Sequence, residues 1–296
     1  VFGAGNSGTD ADADGVVDLD AIYAPGTAKN CVTVGASENY RPSPDPNPES
    51  LRYGAGWPDQ FYTQPISDDL SADNPEGMGA FSSRGPCDDG RLKPDVTAPG
   101  TWILSTYSQA NHPDDTDRPY EEPQYDGWGD PPNRWYKYMG GTSMATPLAA
   151  GTTVLVREYY NDIVGRPTPS SALLKATLIN GAYDMTPGQY GTGAYQEISG
   201  RPDYVQGWGR IDLVNTLMPA PPRTWWFDDH TVGLRTGDVI TYTTQLTKPL
   251  WVRDDSEPLR VSLVWTDYPG SLSSGGLVND LDLEVIATDG THYYGN

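Results

Sequence analysis

Ser143 lies in "YMGGTSMATPLAAG", residues 138–151, between a glycine pair and a run of small apolar residues. Acyl transfer at a serine needs an exposed hydroxyl, a proton acceptor, and donors for the oxyanion of a tetrahedral intermediate. Gly140 and Gly141 permit a tight turn and close approach of a substrate. A helix starting at Ser143 would aim its free N–H groups and positive dipole end at developing charge. Pro147 fits near the first turn of such a helix, where a missing N–H costs little. The same spacing also describes Thr142 or Ser143 simply capping a core helix.

A second group of residues has metal-ligand spacing. "DADADGVVD", residues 10–18, places Asp10, Asp12, Asp14 and Asp18 around Gly15. These are the first nine positions of a calcium loop, with glycine at the sharp turn. The twelfth position is Ala21 rather than a bidentate glutamate, and Asp20 is its nearest substitute. A solvated acidic loop is the competing reading. In "VNDLDLE", Asp280 and Asp282 share a strand face beside Asn279, and they repel each other unless solvated or neutralised by a cation. Cys31 and Cys87 are the only cysteines, either bridged across neighbouring strands or left as buried free thiols.

The elements that would position these groups follow from patterning. Short apolar runs between glycine-rich turns, "VFGAG", "CVTVGAS", "AFSSRGP" and "KPDVTAPG", predict buried strands. Residues 40–79 and 107–134 predict long polar and aromatic surface excursions. From Thr142 the chain predicts a helix apolar nearly all round, hence buried in mid-domain. "SSALLKATLINGA" predicts a second helix capped by Ser170 or Ser171, and "GWGRIDLVNTLM" a turn and a short final helix. After a proline-rich linker at 218–224 the period becomes two in "VITYTTQL", "LRVSLVWT" and "LDLEVIA". The expected organisation is an α/β domain over 1–218 and an all-β jelly-roll or β-sandwich over 219–296, incomplete at its C-terminus.

The totals narrow the function. A formal net charge of −21 over 296 residues argues against nucleic acid and against anionic membrane surfaces. No apolar run is long enough to span a bilayer.

The string "GTSMATP" resembles the nucleophile motif of subtilisin-like serine proteases, the subtilases. "GAGNSG" resembles their oxyanion-asparagine segment, and "AFSSRGP", "KPDVTAPG" and "GWGRIDL" resemble further segments in family order. "SLVWTDYPG…LVNDLDLEVIATDG" is similar to the β-sandwich appended to secreted bacterial alkaline subtilases. The resemblance implies a doubly wound, mostly parallel sheet, with Ser143 as nucleophile and Asn6 as oxyanion donor. It implies that Gly3, Ala4 and Gly5 wall a specificity pocket, with Tyr23 to Gly26 on the opposite rim and Pro25 a candidate for a cis bond. It further implies structural calcium at Asp10, Asp12, Asp14 and Asp18 and at Asp280 and Asp282, a protein or peptide substrate with a large uncharged residue before the cut, and secretion.

One departure is large. Subtilases carry the catalytic Asp and His before the asparagine, and here the asparagine is residue 6. His112, His230 and His292 all fall later and lack the family's surroundings. The reading is therefore an N-terminally truncated catalytic domain, inactive alone, whose missing Asp and His belong to preceding sequence or to a separate N-terminal chain. Its rival is a non-catalytic polypeptide- or glycan-binding protein, with Trp225 and Trp226 as a possible platform.

Overall fold

The computed structural model describes residues 1–41, 51–107, 128, 135–242, 256–271 and 276–295. Three short strands, β1 (Phe2–Gly3), β2 (Thr33–Ser37) and β3 (Val96–Pro99), form a parallel sheet in the order β1-β2-β3. The register pairs Phe2 with Thr33 and Val34 with Val96. Every residue of β2 is buried, as expected for a parallel strand covered on both faces. Helix α1 (Tyr53–Gly56) follows β2, and the hairpin β4 (Ile103–Thr106) and β5 (Tyr136–Met139) leads into the long helix α2 (Thr142–Asp162). Helices α3 (Ser171–Gly181) and α4 (Leu213–Leu217) pack against α2. Ser170 caps α3 by accepting the Leu173 N–H at 3.0 Å, and Asp212 caps α4 by accepting that of Asn215 at 2.8 Å.

Helix α2 crosses the sheet, placing Thr142, Ala145, Ala149, Val156 and Tyr160 in the core. The expectation of a helix buried all round does not hold. Leu148, Val154 and Leu155 are exposed on its other face, which nothing covers among the described residues. Pro147 is the sixth helical residue, a turn further in than expected, so the Ser143 carbonyl lacks the i+4 N–H it would otherwise accept.

Two further expectations are corrected. The stretch 40–79, read as a surface excursion, carries core side chains: Tyr53, Phe61, Ile66 and Met78 are all at most 1% exposed. Tyr53, Trp57 and Phe61 recur at four-residue spacing, and Phe61 packs edge to face on the other two rings, a helical-turn signal hidden among prolines and aspartates. "AFSSRGP" is not a strand. Its backbone bonds scatter, with Gly8 N–H to the Phe81 carbonyl, Ser83 N–H to Gly5 and Gly85 N–H to Tyr204, so it ties separate loops together instead of extending a ladder.

Beyond α4, the strands found among the described residues are the antiparallel pair β6 (Glu284–Ile286) and β7 (His292–Tyr294). Residues 239–242 and 259–266 form no strand ladder, and Val239, Leu259 and Val261 are exposed. Alternation marks a face for burial but does not supply the facing sheet. Trp225 and Phe227 pack on Tyr160 of α2, so this part of the chain begins fixed to the α/β layer.

Candidate active site

The three parallel strands end on one side of the sheet, and their C-terminal loops meet the start of α2. After β1 the chain turns through Gly5, at φ 111°, into Asn6. After β3, the carbonyl of Gly100 accepts the Gly141 N–H at 2.7 Å, fixing the turn ahead of α2. The sheet thus carries Asn6 and Ser143 to one place from positions 137 residues apart.

Asn6 closes that place from the strand side. Its Oδ1 accepts the Thr142 backbone N–H at 2.9 Å and the Thr142 hydroxyl at 3.0 Å. A backbone N–H can only donate, so this contact fixes the orientation of the amide and turns Nδ2 the other way. Helix α2 has no side-chain cap of its own, because the residue at that position is Gly141. Asn6 therefore caps the helix from the loop after β1, a role not legible in the sequence because nothing in the local pattern around Thr142 signals it.

The remaining donors of the first helical turn can be followed one by one. Met144 and Ala145 donate to the Gly141 carbonyl, and Thr142 donates to Asn6. The Ser143 N–H and Asn6 Nδ2 have no partner among the described residues. Both nitrogens lie close to one spot. A Cβ added at Gly141 would lie 3.3 Å from Asn6 Nδ2, 3.6 Å from its Oδ1 and 3.7 Å from the Ser143 nitrogen. Two N–H donors without partners thus lie at a helix N-terminus, beside an exposed serine hydroxyl, where the dipole favours negative charge. A model of the family described as the subtilase family matches residues 1–209.

The chain belongs to the subtilase family. It is 33% identical over 283 residues to the serine protease/ABC transporter B family protein tagB of Dictyostelium discoideum, covering 82% of this chain and 14% of that protein. It is 31% identical over 194 residues to the serine protease AprX of Bacillus subtilis, covering 64% of this chain and 32% of AprX. Among solved structures, the CspB protease of Clostridium perfringens matches at 21% identity, over 70% of this chain and 30% of that one, with a TM-score of 0.40. The chain therefore spans a minor part of the length of each of these relatives.

The subtilase segment that resembles a pocket wall lies beside the two donors. Ala4 and Gly5 are buried, and a Cβ at Gly3 would press on the Thr142 and Thr146 hydroxyls. The Tyr23 ring rests on Gly5, where an added Cβ would come within 2.4 Å of its Cε1. The Ala24–Pro25 bond, a candidate for the cis isomer, is cis. Trp128, which the sequence reading left inside a polar excursion, packs against Gly140 and against the rings of Trp57, Phe81 and Trp102.

No proton acceptor reaches Ser143 among the described residues, where its Oγ has no hydrogen-bond partner. His292 Nδ1 bonds Glu284 at 2.6 Å in the β6–β7 pair, and His230 is exposed. His112 lies outside the described residues.

Asp10, Asp12 and Asp14 converge, each offering a carboxylate oxygen within 4.8 Å of the others. Asp10 is 1% exposed and accepts the Asp14 and Gly15 N–H groups, while Gly15 turns at φ 84°. Burial raises the Asp10 carboxyl above its ordinary range against those two backbone bonds, and the Asp14 and Asp12 charges raise it further. Asp18 closes the loop by accepting the Ala11 N–H at 2.8 Å. Asp280 and Asp282 precede β6, are exposed, and join no third acidic ligand among the described residues. The buried acid of that region is Asp267, whose oxygens accept from Lys29, Val278 and Asn279.

The two cysteines are free, so the bridging alternative is corrected. Cys31 lies against the Ala28 carbonyl and Thr33, while Cys87 sits in a turn with Arg91 and Gly90. The segment expected to bring them together is not a strand. Trp225 packs on Tyr159, Tyr160 and Phe227 and is unavailable as a binding platform, whereas Trp226 is exposed.

Proposed function

We propose that this chain supplies the nucleophile and oxyanion half of a serine endopeptidase. Ser143 Oγ attacks the scissile carbonyl to form an acyl-enzyme, and Asn6 Nδ2 and the Ser143 N–H hold the oxyanion. The observation that carries this reading is the pair of unpartnered donors beside an exposed serine.

The histidine base and its aspartate come from a segment outside these 296 residues, in the same polypeptide or as a separate N-terminal chain. Two features of the fold support such a partner. Strand β1 lies at the sheet edge with Val1 and Phe2 exposed. The apolar face of α2 bearing Leu148, Val154 and Leu155 lies open as well, so further strands and helices would cover both. Without base and orienter, only about 10³–10⁴-fold over water remains, and this chain alone is inactive in peptide hydrolysis.

The substrate is an extended protein chain with a large uncharged residue before the cut, supported by the small wall of Gly3, Ala4 and Gly5 and the uncharged ring of Tyr23. Calcium fits the loop of Asp10, Asp12, Asp14 and Asp18. A buried carboxylate crowded by two others favours a divalent cation, and oxygen ligands suit a hard ion. The ion would tie the loop in front of Asn6 and take no part in the chemistry. Residues 219–296 form part of an antiparallel β-sandwich, supported by their two-residue alternation and the β6–β7 pair. The acidic charge and aspartate-rich loops favour an extracellular setting.

Labelling with a fluorophosphonate tests the central assignment. The chain alone should stay unlabelled, and the chain with its upstream segment should be labelled at Ser143. Labelling of the isolated chain would overturn the external base, and no labelling of the complemented enzyme would overturn the nucleophile.

A further inference from the structure

Asp267 lies more than 120 residues beyond the nucleophile, yet it is 4% exposed and bonded to the loop that carries Tyr23. Its carboxylate accepts Lys29 Nζ at 2.6 Å, the Val278 N–H at 2.8 Å, and the Asn279 N–H and Nδ2 at 2.9 Å each. Its backbone is paired in both directions with Asn30: Asn30 Nδ2 donates to the Asp267 carbonyl at 2.8 Å, and the Asp267 N–H donates to Asn30 Oδ1 at 3.0 Å. Lys29 spends its other two donors on the carbonyls of Tyr268, at 2.7 Å, and Gly276, at 3.2 Å. All three Lys29 donors therefore go to the C-terminal segment.

The grip extends to a second loop. The Gly276 N–H donates to Asp89 Oδ2 at 3.1 Å, Asp89 holds Arg91 Nε at 2.8 Å, and Arg91 donates to the Thr27 carbonyl at 2.8 Å. Thr27, Lys29 and Asn30 are thus fixed from outside their own loop. At the loop's other end a tight turn joins Tyr23 to Gly26 by a 2.9 Å backbone bond, and the Tyr23 ring lies on Gly5, next to Asn6. The Tyr23 hydroxyl has no bond of its own among the described residues. Placement of that ring follows from where the loop is held, a few residues away.

We propose that the C-terminal residues Asp267, Tyr268 and Gly276 to Asn279, through Asp267, are a positioning element of the substrate site that clasps the loop from Thr27 to Asn30 and so sets the Tyr23 rim. Asp267 touches neither substrate nor reacting atoms; it acts through Lys29 and Asn30 on Tyr23. The proposal rests on the reading of Ser143, Asn6 and Gly3 to Gly5 as a protease site. Lys29 and the other donors hold the Asp267 carboxyl well below the usual carboxylate range, so the clasp stays charged through the working range of an extracellular enzyme. The C-terminal region is then part of the specificity machinery, besides being an appended module.

The test uses the complete enzyme with its upstream segment, comparing wild type with Asp267→Asn and Lys29→Met. Peptides differing only in the residue before the cut, tyrosine against alanine, report the rim. Fluorophosphonate inactivation reports Ser143 without engaging the rim. The expected result is about a tenfold loss in kcat/KM for the tyrosine peptide, carried mostly by KM. The alanine peptide and the inactivation rate should stay within twofold, and Asp267→Glu should restore part of the loss. Hydrogen exchange of residues 23–33 in the same proteins should rise in both variants. Unchanged preference with faster exchange would overturn the proposal, as would equal losses on both peptides and in inactivation, which mark general damage. Wild-type enzyme that hydrolyses neither peptide would sink the protease reading and this proposal together, whereas normal hydrolysis with unmoved preference sinks this proposal alone.

Discussion

The Asn6 side-chain oxygen accepts the Thr142 backbone N–H at 2.9 Å, and that one bond both caps helix α2 and aims the asparagine amide. Because the oxygen is committed to the helix, Nδ2 is left without a partner among the described residues, and it and the Ser143 nitrogen both lie beside Gly141. Capping and oxyanion binding are usually separate duties of a helix N-terminus. Under the proposed function they share one amide, and the two can be pulled apart by substitution.

Asn6→Asp keeps an acceptor for Thr142 and places a negative charge at a helix N-terminus, where the dipole favours it. It loses the donor. Asn6→Ala loses both. In the complemented enzyme both variants should lose roughly 10²–10³ in turnover, a range measured on a subtilisin. Only Asn6→Ala should lose the cap as well, about 1 kcal/mol, read as a lower Tm. Equal melting of the two variants would argue against the cap.

Gly141→Ala tests the spot itself. The glycine sits at φ 136°, and the new methyl would stand 3.3 Å from Asn6 Nδ2 and 3.7 Å from the Ser143 nitrogen. An alanine there costs roughly 1 kcal/mol or more in stability. Steady-state hydrolysis by the complemented enzyme should fall on the order of 10²-fold, since the methyl occupies or displaces the oxyanion position. Retention of full activity would place the oxyanion elsewhere.

How much of this was legible beforehand depended on whether the signal was local. Ser143, Asn6 and Asp10 to Asp18 lie in compact motifs, and the structure brings Asn6 to Ser143 and Asp10 to Asp12 and Asp14. The Ser170 cap was readable because a capping serine lies next to its helix. The Asn6–Thr142 cap and the Asp267–Lys29 pair were not readable, since each joins residues more than 100 positions apart and neither end is unusual in its own neighbourhood. Phe61 and Ile66 were misjudged for a related reason. Single apolar residues in a polar stretch look like surface until a core closes on them.

Calcium binding predicts a thermal shift. With calcium in 100-fold excess over its dissociation constant, stabilisation is about 2.7 kcal/mol, several degrees in Tm for a domain of this size. Asp10→Asn should abolish most of that shift, because Asp10 is the buried member of the cluster. Asp280→Asn should leave it nearly intact, as that residue is exposed and outside the cluster. Differential scanning fluorimetry with calcium and with a chelator measures all three proteins, and a wild-type Tm indifferent to calcium would sink the assignment.

Asp69 predicts how stability changes with pH. Burial pushes its carboxyl up from 3.8 to about 7, against the hydrogen bond donated by Tyr190 and with the help of Asp73 and Glu197. Glu38, from the end of β2, is fully buried among the same groups and is also raised; its Oε1 accepts the Tyr53 hydroxyl. Arg84 compensates only Glu197, by a 3.0 Å ion pair, and Arg52 acts on Asp73. Below about pH 4, Asp69 is protonated in both folded and unfolded chains. As the pH rises towards 7, the unfolded chain releases this proton while the folded one keeps it, so the folded state loses ground. Above about pH 7 the loss is complete. Asp69→Asn retains an oxygen for Tyr190 and removes the titration. Its Tm should match wild type near pH 4 and exceed it at pH 8 by at least about 2–4 °C, the equivalent of about 1 kcal/mol. Parallel Tm profiles for the two proteins from pH 4 to pH 8 would show that Asp69 ionises there as it does in the unfolded chain.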